Sequence, residues 1–288
     1  VIVNGIAVPG TCITSLGNTQ LHPERSSEFE GGFDATLWNG RLSMTYTQYN
    51  KTRKDAIINM PVAPSVSPTS IVEVGGSIPP FNIAENIGEV RNTGTEIAVT
   101  AAVLESRALS WNVVANFSND NNMLVHLNPG QQPDYFYGLV PGYPLFSRWI
   151  RPILGYADQN HNGVIDPAEI LLGDSLAYEG QTSPKYQMYL TTDVHLLSGR
   201  LGVHATFAYQ NGMSQSNQQA LNSGSLLTVG NTPGTSLAYQ AAVVSAVCGR
   251  GYSTTGVIAA SCPVYTDYGL IQPVSTFRFN ELSINYEL

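Results

Sequence analysis

The chain has 288 residues, of which 43% are hydrophobic and only 12% charged, about half the charged share of an ordinary globular domain. Thirteen Lys and Arg against 21 Asp and Glu leave a formal charge of −8, which disfavours a nucleic-acid partner, since that needs a basic stripe. No run of about 18 apolar residues exists, so a spanning helix is excluded and a spanning β-barrel is not. The first residues, Val1-Ile2-Val3-Asn4-Gly5, carry no initiator Met and no leader pattern, as expected of a processed chain or of an internal piece of a longer one.

Period-two alternation dominates, and helical periodicity is nearly absent. In residues 26–38, Phe29, Phe33, Ala35 and Leu37 fall on one face and Glu28, Glu30, Asp34 and Thr36 on the other. Asn39-Gly40 follows, the strongest two-residue hairpin signal. Pairing Trp38 with Arg41 sets Leu37 against Leu42, Ala35 against Met44, Phe33 against Tyr46, Asp34 against Thr45 and Glu28 against Lys51, so one register satisfies both faces. A second hairpin runs from Thr93 to Phe117 around a turn at 105–108. A third runs from Lys185 to Gln210 around Ser198-Gly199, with Leu196 opposite Leu201, Val194 opposite Val203 and Asp193 opposite His204. A seventh strand covers Ser275 to Leu288, where the apolar phase slips between Phe277-Arg278-Phe279 and Leu282-Ser283-Ile284, the mark of a bulge.

Turns at 39–40, 105–108 and 198–199 are minimal, while the connections at 59–92, 118–184 and 211–274 are long. Short and long alternate strictly. Loops of that length are out of place in a compact soluble domain, whereas short turns on one rim and long loops on the other are the plan of an outer-membrane barrel. The expected fold is therefore all-β: an antiparallel meander of about seven strands, each 10 to 13 residues long, forming part of a transmembrane β-barrel. A β-sandwich with one solvated face is the competing architecture.

No phosphate loop, nucleophile elbow, His-Glu-x-x-His or Cys-x-x-Cys occurs, so no enzyme activity and no organic cofactor are expected. Asp193 opposite His204 resembles half of a catalytic triad, but two lumenal polar residues explain the pair more simply. Trp38, beside a turn, fits an interfacial aromatic girdle. Among the loop aromatics, Tyr135, Phe136, Tyr137, Tyr143 and Trp149 either pack among the loops or stack on a ligand. Asp158 to Glu169 fits a calcium-loop template at every position, with Asp158, Asn160, Asn162, the Val164 carbonyl, Asp166 and Glu169 as ligands and Gly163 at the tight turn. Its flanks are not those of a paired hand: Pro152, Gly155 and Tyr156 oppose an entering helix, and Gly173 cuts short one leaving from Pro167. The alternative is an Asx-rich turn without an ion. Of the cysteines Cys12, Cys248 and Cys262, the last two either close a loop as a disulfide or stay free.

Several elements in one order carry a family resemblance. Leu21-His22-Pro23-Glu24-Arg25-Ser26-Ser27-Glu28-Phe29-Glu30-Gly31 resembles the stretch that opens a barrel strand in TonB-dependent outer-membrane receptors. Asn86-Ile87-Gly88-Glu89-Val90-Arg91-Asn92-Thr93-Gly94-Thr95-Glu96 resembles an element of their SusC/RagA branch. Gly142-Tyr143-Pro144, Asp158 to Asp166, Leu172-Gly173-Asp174, Ser183-Pro184-Lys185-Tyr186 and Phe277 to Tyr286 extend the match. The resemblance implies a carboxy-proximal barrel fragment over residues 1–288, without the plug domain and the final strands, and so unable to transport by itself. It also implies an importer of oligosaccharides or peptides in the outer membrane of a Gram-negative bacterium. Expected partners are outer-membrane lipid, a SusD-like lipoprotein at the long extracellular loops, and a TonB complex reached through the missing amino-terminal parts. The alternative function is a secreted or surface calcium-stabilised β-protein acting as a binding module.

Overall fold

The computed structural model describes residues 2–3, 6–7, 15–61, 82–217, 233–248 and 266–287. Seven strands form one antiparallel sheet: β1 (Arg25–Leu37), β2 (Leu42–Lys54), β3 (Gly88–Glu105), β4 (Leu109–Leu127), β5 (Tyr186–Leu196), β6 (Leu201–Ser216) and β7 (Ile271–Tyr286). They bond in chain order, so the sheet is a meander with β1 and β7 at its edges.

The alternation read from the sequence sets the register. Leu37 faces Leu42, Phe33 faces Tyr46 and Glu28 faces Lys51; Leu196 faces Leu201 and Gln187 faces Gln210. The slip in β7 is a fault between Thr206 and Phe207, whose partners are Glu281 and Phe279, so Asn280 is the extra residue. Across the sheet, Phe33, Tyr46, Ile97, Phe117, Met188, Tyr209 and Phe277 are successive partners in one row. The adjacent row, on the opposite face, reads Gly32, Thr47, Glu96, Ser118, Gln187, Gln210 and Thr276. Hydrocarbon thus faces one side and polar groups the other on every strand. The apolar face is uncovered: Phe33 is 55%, Phe277 71% and Ile284 63% exposed. Its hydroxyl at Thr192 accepts a hydrogen bond from Trp111 Nε1 at 2.8 Å, which satisfies both polar groups where lipid offers no partner.

The three tight turns share one rim. Arg41 Nη2 donates to the carbonyls of Ala102 and Val103 at 3.2 and 3.1 Å, tying the first turn to the second. The Ser198 amide donates to the Ala108 carbonyl at 3.4 Å, tying the third to the second. The first and third turns are built alike: Trp38, Asn39 and Gly40 have φ of 52°, 56° and 89°, and Leu197, Ser198 and Gly199 have 54°, 59° and 95°. A left-handed run ending in Gly matches the right-handed strand twist.

Several boundaries differ from the sequence reading. The strands run from 11 to 19 residues rather than 10 to 13, because β3 begins at Gly88 and β4 continues to Leu127. The apolar stretch of β4, Leu109 to Phe117, crosses roughly 20 to 25 Å at a barrel tilt; a polar run, Ser118 to Asn122, stands above it, and Met123 to Leu127 continue to the loop-end core. The long connections shrink accordingly to 55–87, 128–185 and 217–270. The last of these also holds a helix that periodicity did not reveal, α1 (Leu237–Cys248).

Among the described residues, the hydrophobic core clusters lie at the loop end. One gathers Ala56, Ile87, Val90, Leu124 and Leu139. The other gathers Ile165, Ile170 and Leu172 with Ala241 and Val244 of α1.

Candidate functional site

The connection 128–185 folds back over the outer end of β4. Leu124 N–H donates to the Tyr143 carbonyl at 2.9 Å and Gly142 N–H to the Leu124 carbonyl at 2.7 Å, so Tyr143 is held as a continuation of the sheet. Asp134 closes the preceding turn, its Oδ1 accepting from the amides of Phe136 and Tyr137 at 2.9 and 3.0 Å. Two small ladders follow, Arg148–Ile150 with Ala177–Gly180 and Ile153–Tyr156 with Ile170–Leu172.

This frame assembles an aromatic cluster with Trp149 at its centre. The indole meets Tyr135 at 5.1 Å, Tyr143 at 4.6 Å and Tyr178 at 5.7 Å between ring centroids, each close to edge-on. Tyr143 and Tyr178 also touch, at 5.1 Å. Ser147 Oγ accepts from Trp149 Nε1 at 2.9 Å and itself donates to the Gly138 carbonyl. Gly138, with φ 65°, lies so close to the Ser147 backbone that a Cβ there would collide with it. A cavity of about 600 Å³ opens beside the cluster, lined by Tyr135, Phe136, Phe146, Trp149, Arg148 and Arg151 among others. Burial, reinforced by neighbouring Tyr143, pushes the Tyr178 hydroxyl above its ordinary range, and burial likewise raises Glu179.

Of the aromatics singled out by sequence, Tyr135, Tyr143 and Trp149 come together. Tyr137 stacks edge-on with Phe136 at 4.9 Å and packs on the Leu124 core, while also reaching the cavity wall. Tyr178, Phe146, Arg148 and Arg151 were not foreseen. Tyr178 sits in a four-residue strand, too short for a periodic signal, and is brought to Trp149 by cross-strand pairing.

The loop from Asp158 to Glu169 closes on itself. Asp158 accepts from the amides of Asn162 at 3.1 Å and Gly163 at 2.8 Å. Asn160 Oδ1 accepts from the Asn162 amide at 3.0 Å, and Asn162 Oδ1 from the Val164 amide at 2.9 Å. Glu169 accepts from Gln159 at 2.8 Å, Asn160 at 3.2 Å and Asp166 at 2.9 Å. The Asp166 amide is the main cause holding the Glu169 carboxyl below its usual range, with those of Gln159 and Asn160 adding, while burial and nearby Asp158 oppose it. Asn160 Nδ2 also donates to Asp166 Oδ2 at 2.9 Å. Among the described residues, no group of three or more His, Cys, Asp or Glu side chains is gathered as a metal centre. The chain enters as a strand and leaves through a single 3-10 turn, Pro167–Glu169, which ends at Ile170 rather than being carried to Gly173. Where a paired hand would stand, α1 docks instead: Gln240 Oε1 accepts from the Ile165 amide at 2.8 Å and Gln240 Nε2 donates to the Gly163 carbonyl at 3.2 Å. Cys248 ends α1, and Cys262 lies outside the described residues.

On the polar face, Asp193 and His204 form a close pair. His204 Nδ1 stands 2.6 Å from Asp193 Oδ1, and Ser283 is the cross-strand neighbour of His204. No hydrogen bond joins Ser283 to His204 among the described residues, and extended strands offer no oxyanion donors. Higher on that face, Tyr49, Gly94 and Asp120 are direct partners on β2, β3 and β4.

An open meander with a lipid-matched face, a polar face, a rim of tight turns and a rim of folded loops defines the wall of a transmembrane β-barrel. The family described as TonB dependent receptor-like, beta-barrel matches residues 3–243, and the chain belongs to it. TonB-dependent receptor P3 of Formosa agariphila is 27% identical over 142 residues, 49% of this chain and 13% of that protein. TonB-dependent receptor P39 of the same organism is 31% identical over 121 residues, 42% of this chain and 10% of that protein. The RagAB peptide transporter superposes with a TM-score of 0.64 at 18% identity, over 96% of this chain and 30% of that one. The RagAB peptide importer in its closed-closed state gives 0.64 at 20% identity, with the same coverage. The likeness to the RagAB structures is one of fold, and it agrees with the SusC/RagA-like motifs of the sequence. The chain spans about a tenth of the length of the curated relatives it matches.

Proposed function

We propose that the chain forms part of a TonB-dependent importer that carries an oligosaccharide or a peptide through the outer membrane of a Gram-negative bacterium. The two-faced meander supports this reading most strongly, since an uncovered apolar face of this extent is costly in water and neutral in lipid. The energy for import would come from an inner-membrane TonB complex acting on parts of a longer receptor. A SusD-like lipoprotein would rest on the long connections 55–87, 128–185 and 217–270. The sheet segment, with two edges, would not transport alone. Uptake of labelled oligomers by cells carrying the whole receptor, with and without TonB, tests the proposal. TonB-independent uptake, or a receptor that stays monomeric in water without detergent, would sink it and favour a secreted binding module.

The Asp158–Glu169 loop is proposed to take a structural calcium ion. Its support is the oxygen-bearing residue at each template position and Gly163 at φ 83°. The ion would compete for carboxylate and amide oxygens now turned to the loop's own N–H groups. Cys248 and Cys262 are proposed to be joined, on the oxidising outer side of the membrane. Mass mapping of unreduced peptides checks this directly, and two freely alkylated thiols would exclude it.

A further inference from the structure

The cavity beside Trp149 offers charge as well as ring faces. Its wall brings Arg148 and Arg151 together with Phe136, Phe146 and Trp149. Ion pairs among the described residues engage Lys51, Arg53, Arg91 and His204, so neither cavity arginine is spent on one. Arg148 Nε is buried without a hydrogen-bond partner. Arg151 Nε donates to the Gly173 carbonyl at 2.9 Å, which anchors the stem and leaves the outer fork of the guanidinium. Asp267 shares the wall, so these three side chains sum to one net positive charge in a chain whose total is −8.

The apolar part of the wall is equally unspent. Phe136 is 87% exposed and Phe146 50%, although large aromatic side chains gain most from burial. Phe146 also has φ 58°, a left-handed conformation that is unfavourable for a bulky residue and persists only where its surroundings enforce it. The strain is spent on a half-exposed ring at the mouth of a cavity.

Resting on the importer reading, we propose that this cavity captures the carboxy-terminal end of a peptide whose last side chain is aromatic or large and aliphatic. The side chain would enter among Phe136, Phe146 and Trp149, and the terminal carboxylate would meet the Arg148 and Arg151 guanidinium groups, whose planar forks fit two carboxylate oxygens. A sugar fits less well. Each ring carries several hydroxyls that need partners when buried, and although Thr182, Thr266 and Asp267 offer some, Phe136, Phe146, Ile150 and Leu176 provide none, so the apolar part of the wall suits a hydrocarbon side chain better.

The test uses the whole receptor in detergent, titrated calorimetrically with three probes: Ala-Ala-Phe with a free carboxylate, the same tripeptide as its carboxy-terminal amide, and a galacturonic acid trimer. The free acid is expected to bind about tenfold more tightly than the amide, a difference of about 1.4 kcal/mol. In the Arg148→Gln/Arg151→Gln double variant that preference should vanish while affinity for the amide is unchanged, which also shows that the cavity remains folded. Equal binding of acid and amide, a preference kept by the variant, or tighter binding of the uronate trimer would overturn the proposal. If no probe binds and TonB-dependent uptake of other oligomers persists, the cavity assignment fails and the importer reading stands. Absence of both binding and uptake defeats the two together.

Discussion

The Tyr49 hydroxyl donates to Asp120 Oδ1 at 2.9 Å across the width of an intervening strand. The residue beneath is Gly94, and a Cβ there would run into the tyrosine ring and the Asn119 carbonyl. The glycine of the Asn-x-Gly-x-Glu element is thus a steric requirement of a cross-strand strap on the polar face. Gly94→Ala is expected to destabilise the whole receptor by about 1–3 kcal/mol through overpacking. Tyr49→Phe, which keeps the ring and loses the bond, should cost about 1 kcal/mol. Urea unfolding in detergent, followed by the shift between folded and unfolded forms on gels, measures both. A Gly94→Ala receptor as stable as the parent would show that the strap yields without cost.

Asn86, from the same stretch, acts as a clamp. Its Oδ1 accepts from the His22 amide at 2.8 Å, and its Nδ2 donates to the carbonyls of His22 at 2.9 Å and Asp55 at 2.7 Å. Its own carbonyl accepts from Asn128 and Gln131, both at 3.0 Å. Asn86→Ala removes the side-chain bonds and should speed proteolysis around residues 20–24 and 55–61, at a cost of about 2 kcal/mol by summing individual bonds. Limited proteolysis with mass mapping reads the outcome, and an unchanged cleavage pattern would count against the clamp.

The assignment of faces separates neighbours by chemistry alone. Val99 stands in the apolar row, opposite Met44 and Ala115, and Thr100 in the next row turns to the polar face. Val99→Arg should lower stability by roughly 2–4 kcal/mol, as for a cation near the membrane midplane, and Thr100→Arg by much less. Folding yield into lipid vesicles compares them, and equal losses would contradict the assignment.

The hairpin registers were legible because alternation, a Gly-containing turn and charge pairing on the polar face all select one alignment, as at Glu28–Lys51, where the ion pair is 2.8 Å. The Asn280 bulge was legible for the same reason, since it displaces the phase by one. Helix α1 was not. Its run from Ala241 to Ala246 is buried all round, so no polar face marks the helical period. The outer parts of β3 and β4 were also missed, since a polar run, Ser118 to Asn122 on β4, interrupts the hydrophobic pattern while the backbone ladder continues. Arg148 belongs to a three-residue strand whose partner lies about thirty positions away and Arg151 follows directly after it, and no local signal foretells that pairing.

The last prediction concerns the loop that ends in Glu169. Three N–H groups point at its carboxylate, those of Asp166, Gln159 and Asn160, and together they hold its pKa below the ordinary glutamate value. A group whose folded pKa is lowered contributes stability that is present above its unfolded value and lost as pH falls through the folded one. In the absence of calcium, the loop should therefore be held at neutral pH and loosen only below the usual glutamate range, and Glu169→Gln should remove that acid transition. Calcium enters through the same atoms. A loop without a paired hand is expected to bind at roughly 10⁻⁴ to 10⁻³ M, the range of extracellular modules. Hydrogen exchange of the 158–170 amides in the whole receptor, across pH 3 to 7 with and without millimolar calcium, resolves the two effects. Protection that rises with calcium in the parent and not in Glu169→Gln supports the ion. Protection indifferent to calcium but sensitive to acid reduces the loop to a carboxylate-capped turn docked on Gln240.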